Sequence, residues 1–359
     1  MRVFIRADAS EVIGTGHVVR CLTLADELIK HTKEIVFIYR QMPDHLVACI
    51  KNKGFSLLKC SFNYKVGSIE DAQDTALLIQ SQYKITIEDW LIVDHYSIDH
   101  VWESIIEKMI KNLMVIDDLA NRKHECKLLL DTSLCDHPEH RYFGLVSPST
   151  KQLLGPKYAL LRDEFIKVRS HMTSRTYNSM NNINILVCFG GTDPTNETWK
   201  VINSLTPLVI NDNKYEITVI LGQANPNIQN IQENCNTLES IKVLVQPPSM
   251  ALEMFKADIA ICGGGTMTWE RYCMGLPALV IAIAANQIGI AEQGEKWKLD
   301  KYLGESKFVS DELIRNELEV ALRSPQKLKS SSYIAMELVD GKGATRIADI
   351  LIGRCALGD

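Results

Sequence analysis

Arg6-Ala7-Asp8-Ala9-Ser10, followed by Ile13-Gly14-Thr15-Gly16-His17 and Arg20, is the stretch whose reading decides the fold. The apolar run Val3-Phe4-Ile5 leads into it, and a helical pattern, Val18, Leu22, Leu24, Ala25 and Leu28, leaves it. A strand therefore ends, glycines turn the chain, and a helix opens with a histidine in its first turn. Backbone N–H groups and an ionisable ring are then expected at the carboxyl edge of a sheet, where open α/β folds bind ligands.

The same alternation continues outward. Ile35 to Tyr39, Leu91 to Val93 and Leu113 to Ile116 are short apolar runs separated by amphipathic ones. Continuous apolar runs of this kind mark a parallel sheet covered on both faces. Residues 170–182 hold few side chains able to fill a core and are expected to be a linker or long loop. A second series follows, with strands at Ile183–Phe189, Tyr215–Leu221, Ile259–Cys262 and Ala278–Ile283. The expected architecture is α/β, two Rossmann-like domains facing a cleft, with residues 1–170 carrying the histidine and 183–359 carrying the nucleotide.

Bulk properties exclude several classes. Thirty-nine basic against 44 acidic residues give a net charge of −5, so there is no basic footprint for nucleic acid. Ten cysteines show no close pairing with metal-ligand or redox spacing and are expected to be buried small hydrophobes. The longest apolar run, Ala278 to Ala285, falls far short of the roughly 20 residues that span a bilayer. A cytoplasmic protein without stable membrane association is expected, and no protein partner is legible.

Gly14 and Gly16 let backbone approach a ligand closely. His17 lies at the positive end of a helix dipole, which favours the neutral ring and suits it to general-base work. No Lys-Ser/Thr pair follows the glycines and no third glycine completes a dinucleotide fingerprint, so ATP hydrolysis and hydride transfer are disfavoured. Asp94-His95-Tyr96 ends a strand and is expected to point at the same edge as His17, with Asp94 or Asp8 orienting an imidazole and Tyr96 touching a sugar; local turn caps are the plainer alternative. Asp117-Asp118 lacks a third ligand at fitting spacing, and no metal site is assigned. Gly263-Gly264-Gly265-Thr266, between a buried strand and a helix, is a candidate diphosphate cradle. Glu270, one turn on, suits ribose hydroxyls. Gly191, in Gly190-Gly191-Thr192, is expected to touch the same ligand. The amides of Asn286 and Gln287 suit a neutral sugar substituent, and Arg162 a phosphate or base edge, or else an ion pair with Asp163 or Glu164.

Seven motifs occur in order: Arg6-x-Asp8, Ile13-Gly14-x-Gly16-His17-x-x-Arg20, Asp94-His95-Tyr96, Leu161-Arg162-x-Glu164-Phe165, Gly190-Gly191-Thr192-Asp193, Asn286-Gln287 and Asp340-Gly341-x-Gly343-Ala344-x-Arg346. The set resembles the UDP-2,4-diacetamido-2,4,6-trideoxy-β-L-altropyranose hydrolases of pseudaminic acid biosynthesis, and it spans nearly the whole chain. The resemblance implies the glycosyltransferase-B architecture, as in the glycosyltransferase that makes peptidoglycan lipid II. It implies attack of water at the anomeric carbon with inversion, C–O cleavage and release of UDP, without a cofactor or metal. It implies His17 as the base, Tyr96 and Asn286 in catalysis or sugar contact, and Arg162, the Gly263 turn, Thr268 and Glu270 at the UDP. A glycosyltransferase of the same architecture, a hydrolysing UDP-sugar 2-epimerase and a nucleotide-sugar-binding module remain as alternatives.

Overall fold

The computed structural model describes residues 1–10, 13–61, 63–172 and 182–354, and the statements below concern these. The expected linker thus falls largely outside the described residues, because 173–181 are not among them. The chain divides into two compact units, Met1–Leu161 with Gly341–Asp359, and Arg162–Asp340.

The first unit runs β1 (Val3–Ala7), α1 (Gly16–Leu28), β2 (Ile35–Tyr39), α2 (Asp44–Asn52), β3 (Ser56–Lys59), α3 (Ile69–Gln82), β4 (Trp90–Asp94), α4 (His100–Ile106), β5 (Asn112–Ile116), β6 (Leu128–Asp131) and β7 (Lys151–Leu154). These strands form one parallel sheet in the order β3-β2-β1-β4-β5-β6-β7. Successive side chains alternate between its faces. Val3, Ile5, Phe37, Ile92 and Met114 pack on one face with Val18, Leu24 and Leu28 of α1. Phe4, Val36, Leu91, Val93 and Val115 pack on the other with Ala72 and Ile79 of α3 and Trp102 of α4.

The second unit runs α5 (Asp163–Ser170), β8 (Ile183–Cys188), α6 (Glu197–Asn211), β9 (Tyr215–Leu221), α7 (Ile228–Cys235), β10 (Ile241–Val245), α8 (Met250–Lys256), β11 (Ile259–Cys262), α9 (Met267–Cys273), β12 (Ala278–Ala282), α10 (Ala285–Lys296), β13 (Lys301–Glu305), α11 (Asp311–Leu322) and α12 (Pro325–Leu338). Its parallel sheet has the order β10-β9-β8-β11-β12-β13. Renumbered from its first strand, that is 3-2-1-4-5-6, the Rossmann order. In both sheets the strand order reverses beside the first strand, between β1 and β4 and between β8 and β11. The carboxyl ends of these pairs are the topological switch points.

The last helix, α13 (Gly343–Leu351), returns to the first unit. The sequence reading placed it in the second domain, and the structure draws that boundary differently. Ile347, Ala348 and Leu351 fill the α1-side core. A Cβ on Gly343 would lie 2.3 Å from the Ala159 carbonyl oxygen, so only glycine permits this backbone approach. Arg346 donates to the Lys157 carbonyl at 2.8 Å. The final sequence motif is therefore a docking device for α13. Nine described cysteines are unpaired, and only Cys49 and Cys135 are part-exposed. No described helix is long and apolar enough to cross a membrane.

A buried polar network braces the loops after β5 and β6. The Tyr142 hydroxyl lies 2.9 Å from Asp117 Oδ2 and 3.0 Å from Asp131 Oδ2. His124 Nδ1 lies 2.8 Å from Glu103 Oε1. Burial by itself lowers the His124 pKa, but Asp117 and Glu103 more than reverse this and raise it to about 9. A histidine raised above its unfolded value of about 6.5 stabilises the fold fully below that pH and loses the contribution as pH rises towards the folded value. The melting temperature is expected to fall between about pH 6.5 and 9. His124→Gln should flatten that slope; calorimetric scans of both proteins across this range check it, and an unchanged slope would contradict the assignment.

Candidate functional site

His17 is the second residue of α1, and Arg20 follows one helical turn later on the same face. Asp94 ends β4 on the parity of Trp90 and Ile92, the parity that faces α1. The two elements therefore converge. His17 Nδ1 lies 2.6 Å from Asp94 Oδ1. Arg20 clamps the same carboxylate, Nε to Oδ2 and Nη2 to Oδ1, both at 2.6 Å. Its Nη1 donates to Asp118 Oδ2 at 2.8 Å. The Tyr96 ring meets the His17 ring edge-on, with centroids 4.5 Å apart.

Asp94 is fully buried, and burial alone would favour its neutral form. Arg20 and then His17 outweigh burial and hold the carboxyl well below the usual range, so Asp94 is an anion. A carboxylate only accepts hydrogen bonds, so the ring nitrogen that meets it, His17 Nδ1, carries the N–H. Burial and then the Asp118 carboxylate raise the Tyr96 phenol, so Tyr96 is a hydroxyl donor. Gly14 completes the loop before α1. Its φ of 79° requires glycine, and its N–H donates to the Ser10 carbonyl at 2.8 Å. Gly16 opens the helix and is half-buried.

The sequence reading brought Asp94, His95 and Tyr96 to one edge. The structure divides them, because His95 has the opposite parity. Asp8 and Arg6 share that other face, with Phe4. His95 Nε2 lies 3.5 Å from Asp8 Oδ2, and Arg6 Nη1 lies 2.9 Å from the same oxygen. Asp8 Oδ1 accepts from the backbone N–H of Arg40 at 2.6 Å and of Gln41 at 3.1 Å. Burial first, and then Arg6, lower the His95 pKa to about 4, with Asp8 opposing. Asp94, not Asp8, is the group that orients His17, and Asp8 ties β1 to the chain after β2. Arg20 received no role from the sequence, which offers Asp118 only as half of the Asp117-Asp118 acid pair; the spacing of three between His17 and Arg20 was the available signal.

In the second unit the glycine turn follows β11 at the switch point. Gly264 N–H donates to Gln287 Oε1 at 3.1 Å, and the same oxygen accepts from Ile283 N–H at 3.2 Å. Gln287 therefore braces the turn, whereas the sequence reading gave it a sugar contact. Cβ atoms on Gly263 and Gly264 would lie 3.3 and 3.1 Å from Gln287 atoms, while a Cβ on Gly265 would meet nothing closer than 3.8 Å. One N–H of the expected cradle is thus already used. Thr266 is exposed at the start of α9. Thr268 Oγ1 is buried without a hydrogen-bond partner among the described residues.

Arg162 Nη2 lies 3.2 Å from Glu270 Oε1, and Nη1 lies 2.7 Å from Glu164 Oε1. Burial raises the Glu270 carboxyl above its usual range, with Arg162 opposing. Gly191 is exposed after β8, and its backbone lies so near Gly222 that a Cβ there would come within 2.4 Å. Asp193 caps α6 through the N–H groups of Glu197 and Thr198, both at 2.9 Å. Asn286 is exposed in the first turn of α10.

Residues 185–341 match the glycosyltransferase family 28 C-terminal domain. An uncharacterized protein of Methanocaldococcus jannaschii is 28% identical over 285 residues, 78% of this chain but 55% of that protein. The chain thus spans about half the length of that relative. A Campylobacter jejuni UDP-2,4-diacetamido-2,4,6-trideoxy-beta-L-altropyranose hydrolase is 25% identical over 289 residues, 80% of this chain and 93% of that protein. Among solved structures, Acinetobacter baumannii MurG superposes with a TM-score of 0.66 at 14% identity, covering 99% of each chain. The UDP-GlcNAc 2-epimerase of Neisseria meningitidis gives 0.65 at 12% identity, covering 98% of this chain and 100% of that one. The fold is that of the glycosyltransferase-B enzymes. These two likenesses, well under a quarter identical, are likenesses of fold.

Asp94 is the hinge of the first-unit cluster, and removing its charge leaves Arg20 and His17 facing a neutral amide. Asp94→Asn is expected to lower stability by about 3 kcal/mol, the scale of breaking one side of a buried ion pair. Denaturant unfolding checks this, and a change below about 1 kcal/mol would show the pair to be worth no more than a surface one.

Proposed function

We propose that this chain hydrolyses a UDP-activated 2,4-diacetamido-2,4,6-trideoxy sugar, releasing UDP and the free sugar with inversion at the anomeric carbon. The observation that carries the reading is the His17–Asp94–Arg20 arrangement at the β1/β4 switch point. An imidazole with Nδ1–H held by a carboxylate presents Nε2 as a base and is stabilised once that nitrogen is protonated. In the proposed step Nε2 takes a proton from water, the water oxygen bonds to C1, and the C1–O bond to the diphosphate breaks. Both electrons of that bond leave with UDP. Tyr96, held protonated, donates to a sugar oxygen, and Asn286 offers an amide to an acetamido group. On this reading the second unit holds the nucleotide: the Gly263–Gly265 turn and Thr266 lie at the diphosphate, with Gly191 from the first turn. Thr268 offers a buried hydroxyl with no partner among the described residues, and Arg162 and Glu270 lie at the uridine end. UDP is a good leaving group, so the reaction as proposed needs no metal. The similarity to the Campylobacter hydrolase supports the substrate class.

The match of residues 185–341 to the family 28 C-terminal domain favours a second reading, in which a sugar or lipid hydroxyl replaces water. The two separate on incubation with the UDP-sugar and no acceptor, followed by proton NMR. Hydrolysis releases UDP and the inverted anomer at once, whereas a transferase stays nearly silent until an acceptor is added.

His17→Ala is expected to lower kcat by about a thousandfold, within the range for loss of a general base, with UDP affinity retained. Steady-state kinetics and calorimetry check both halves, and an equal loss of UDP affinity would assign His17 to ligand contact. EDTA should leave the initial rate unchanged; inactivation reversed by a divalent ion would contradict the metal-free step.

A further inference from the structure

The turn after β6 carries a cluster that the reading above does not use. Pro138–His140 is a single 3-10 turn, closed by the bond from His140 N–H to the His137 carbonyl at 3.1 Å. In this geometry side chains three apart eclipse one another. His137 and His140 therefore share a face, and their rings stack with centroids 6.0 Å apart and planes 24° apart. Glu139 reaches back to both: its Oε1 lies 3.4 Å from His137 Nδ1 and 3.9 Å from His140 Nδ1. One ligand atom from each of the three lies within 4.8 Å of the others.

We propose that His137, Glu139 and His140 form a binding site for a divalent zinc ion. Zinc bonds of about 2.0–2.2 Å in a tetrahedron separate ligand atoms by about 3.4 Å. The His137–Glu139 separation equals this, the His140–Glu139 separation is 3.9 Å, and all three ligand atoms lie within 4.8 Å of one another, so side-chain rotation closes the set around the ion. Two imidazoles and one carboxylate suit zinc, while calcium and magnesium prefer oxygen throughout. Three protein ligands leave the fourth position to water. The side chains are 75%, 60% and 76% exposed, so the ion enters from solvent without rearrangement of the fold.

The turn is anchored at its far end, which lowers the ordering cost of binding. Arg141 donates to Asp131 Oδ2 and to the Asp118 carbonyl, both at 2.6 Å. Tyr142, next in sequence, is buried against Asp117 and Asp131. Pro138 fixes one backbone dihedral inside the ligand set. This site is independent of the proposed hydrolysis and carries no step of it.

The test is calorimetric titration of zinc into the full chain, freed of any polyhistidine tag and of metal. Cobalt absorption serves as a second readout. One zinc per chain is expected at this site. His140→Ala and Glu139→Gln should each weaken binding roughly tenfold or more and abolish the tetrahedral cobalt band, with thermal melting of the metal-free protein unchanged. His137→Ala gives a second route to the same loss should one variant fail to fold. Absence of zinc binding by the wild type overturns the proposal. So does wild-type affinity in the histidine variants, which would place the ion elsewhere.

Discussion

The first unit's polar cluster at the β1/β4 switch point depends on one carboxylate. Asp94 is buried at the end of a central strand, where an unpaired charge is untenable. It persists as an anion because Arg20 grips both oxygens and His17 meets one of them. That compensation does two things at once. It meets the desolvation cost of the strand end, and it fixes which nitrogen of the imidazole bears the proton. Arg20 reaches on to Asp118, two residues past β5, so α1, the end of β4 and the loop after β5 are joined through one guanidinium. A planar fork with five donors can do this, and a lysine cannot.

The alternation of side chains along the strands sorts the remaining polar groups. Arg6, Asp8 and His95 fall on the α3 side, where burial and Arg6 keep His95 neutral at physiological pH. Asp117 falls on that side too and anchors His124, Arg122 and Tyr142. Its neighbour Asp118 falls on the α1 side and serves Arg20. Two acids adjacent in sequence, just past the end of β5, thus do unrelated work on opposite sides of the sheet edge. The second unit also sets a glycine turn at its switch point. Its glycine turn is shaped by an amide, Gln287, and Glu270, one turn into the helix that follows, pairs with Arg162.

Much of the architecture was legible along the chain. Buried parallel strands read as uninterrupted apolar runs, so β1, β2, β4, β5, β8, β9, β11 and β12 stand out, and so do the glycine turns after β1, β8 and β11. The edge strands β7 and β13 did not stand out, because Lys151, Gln152 and Lys301 interrupt them where one face is less covered. The helix α12 was missed because its polar positions outnumber its buried ones, Leu328, Ser332 and Ala335. The return of α13 to the first core could not be read locally. An amphipathic helix announces an apolar face, and the core it fills is a matter of where the chain leads.

From the sequence alone came the two α/β series, the strand-turn-helix at His17 and the candidate residues at each carboxyl edge, because backbone geometry and side-chain period are local properties. Tertiary structure alone decided that Asp94 rather than Asp8 holds His17, that Arg20 bridges Asp94 to Asp118, and that Gln287 braces the glycine turn. Those pairings join residues 23 to 98 positions apart. Which of several nearby acids meets a given base depends on the face to which strand parity assigns it and on the helix that covers that face.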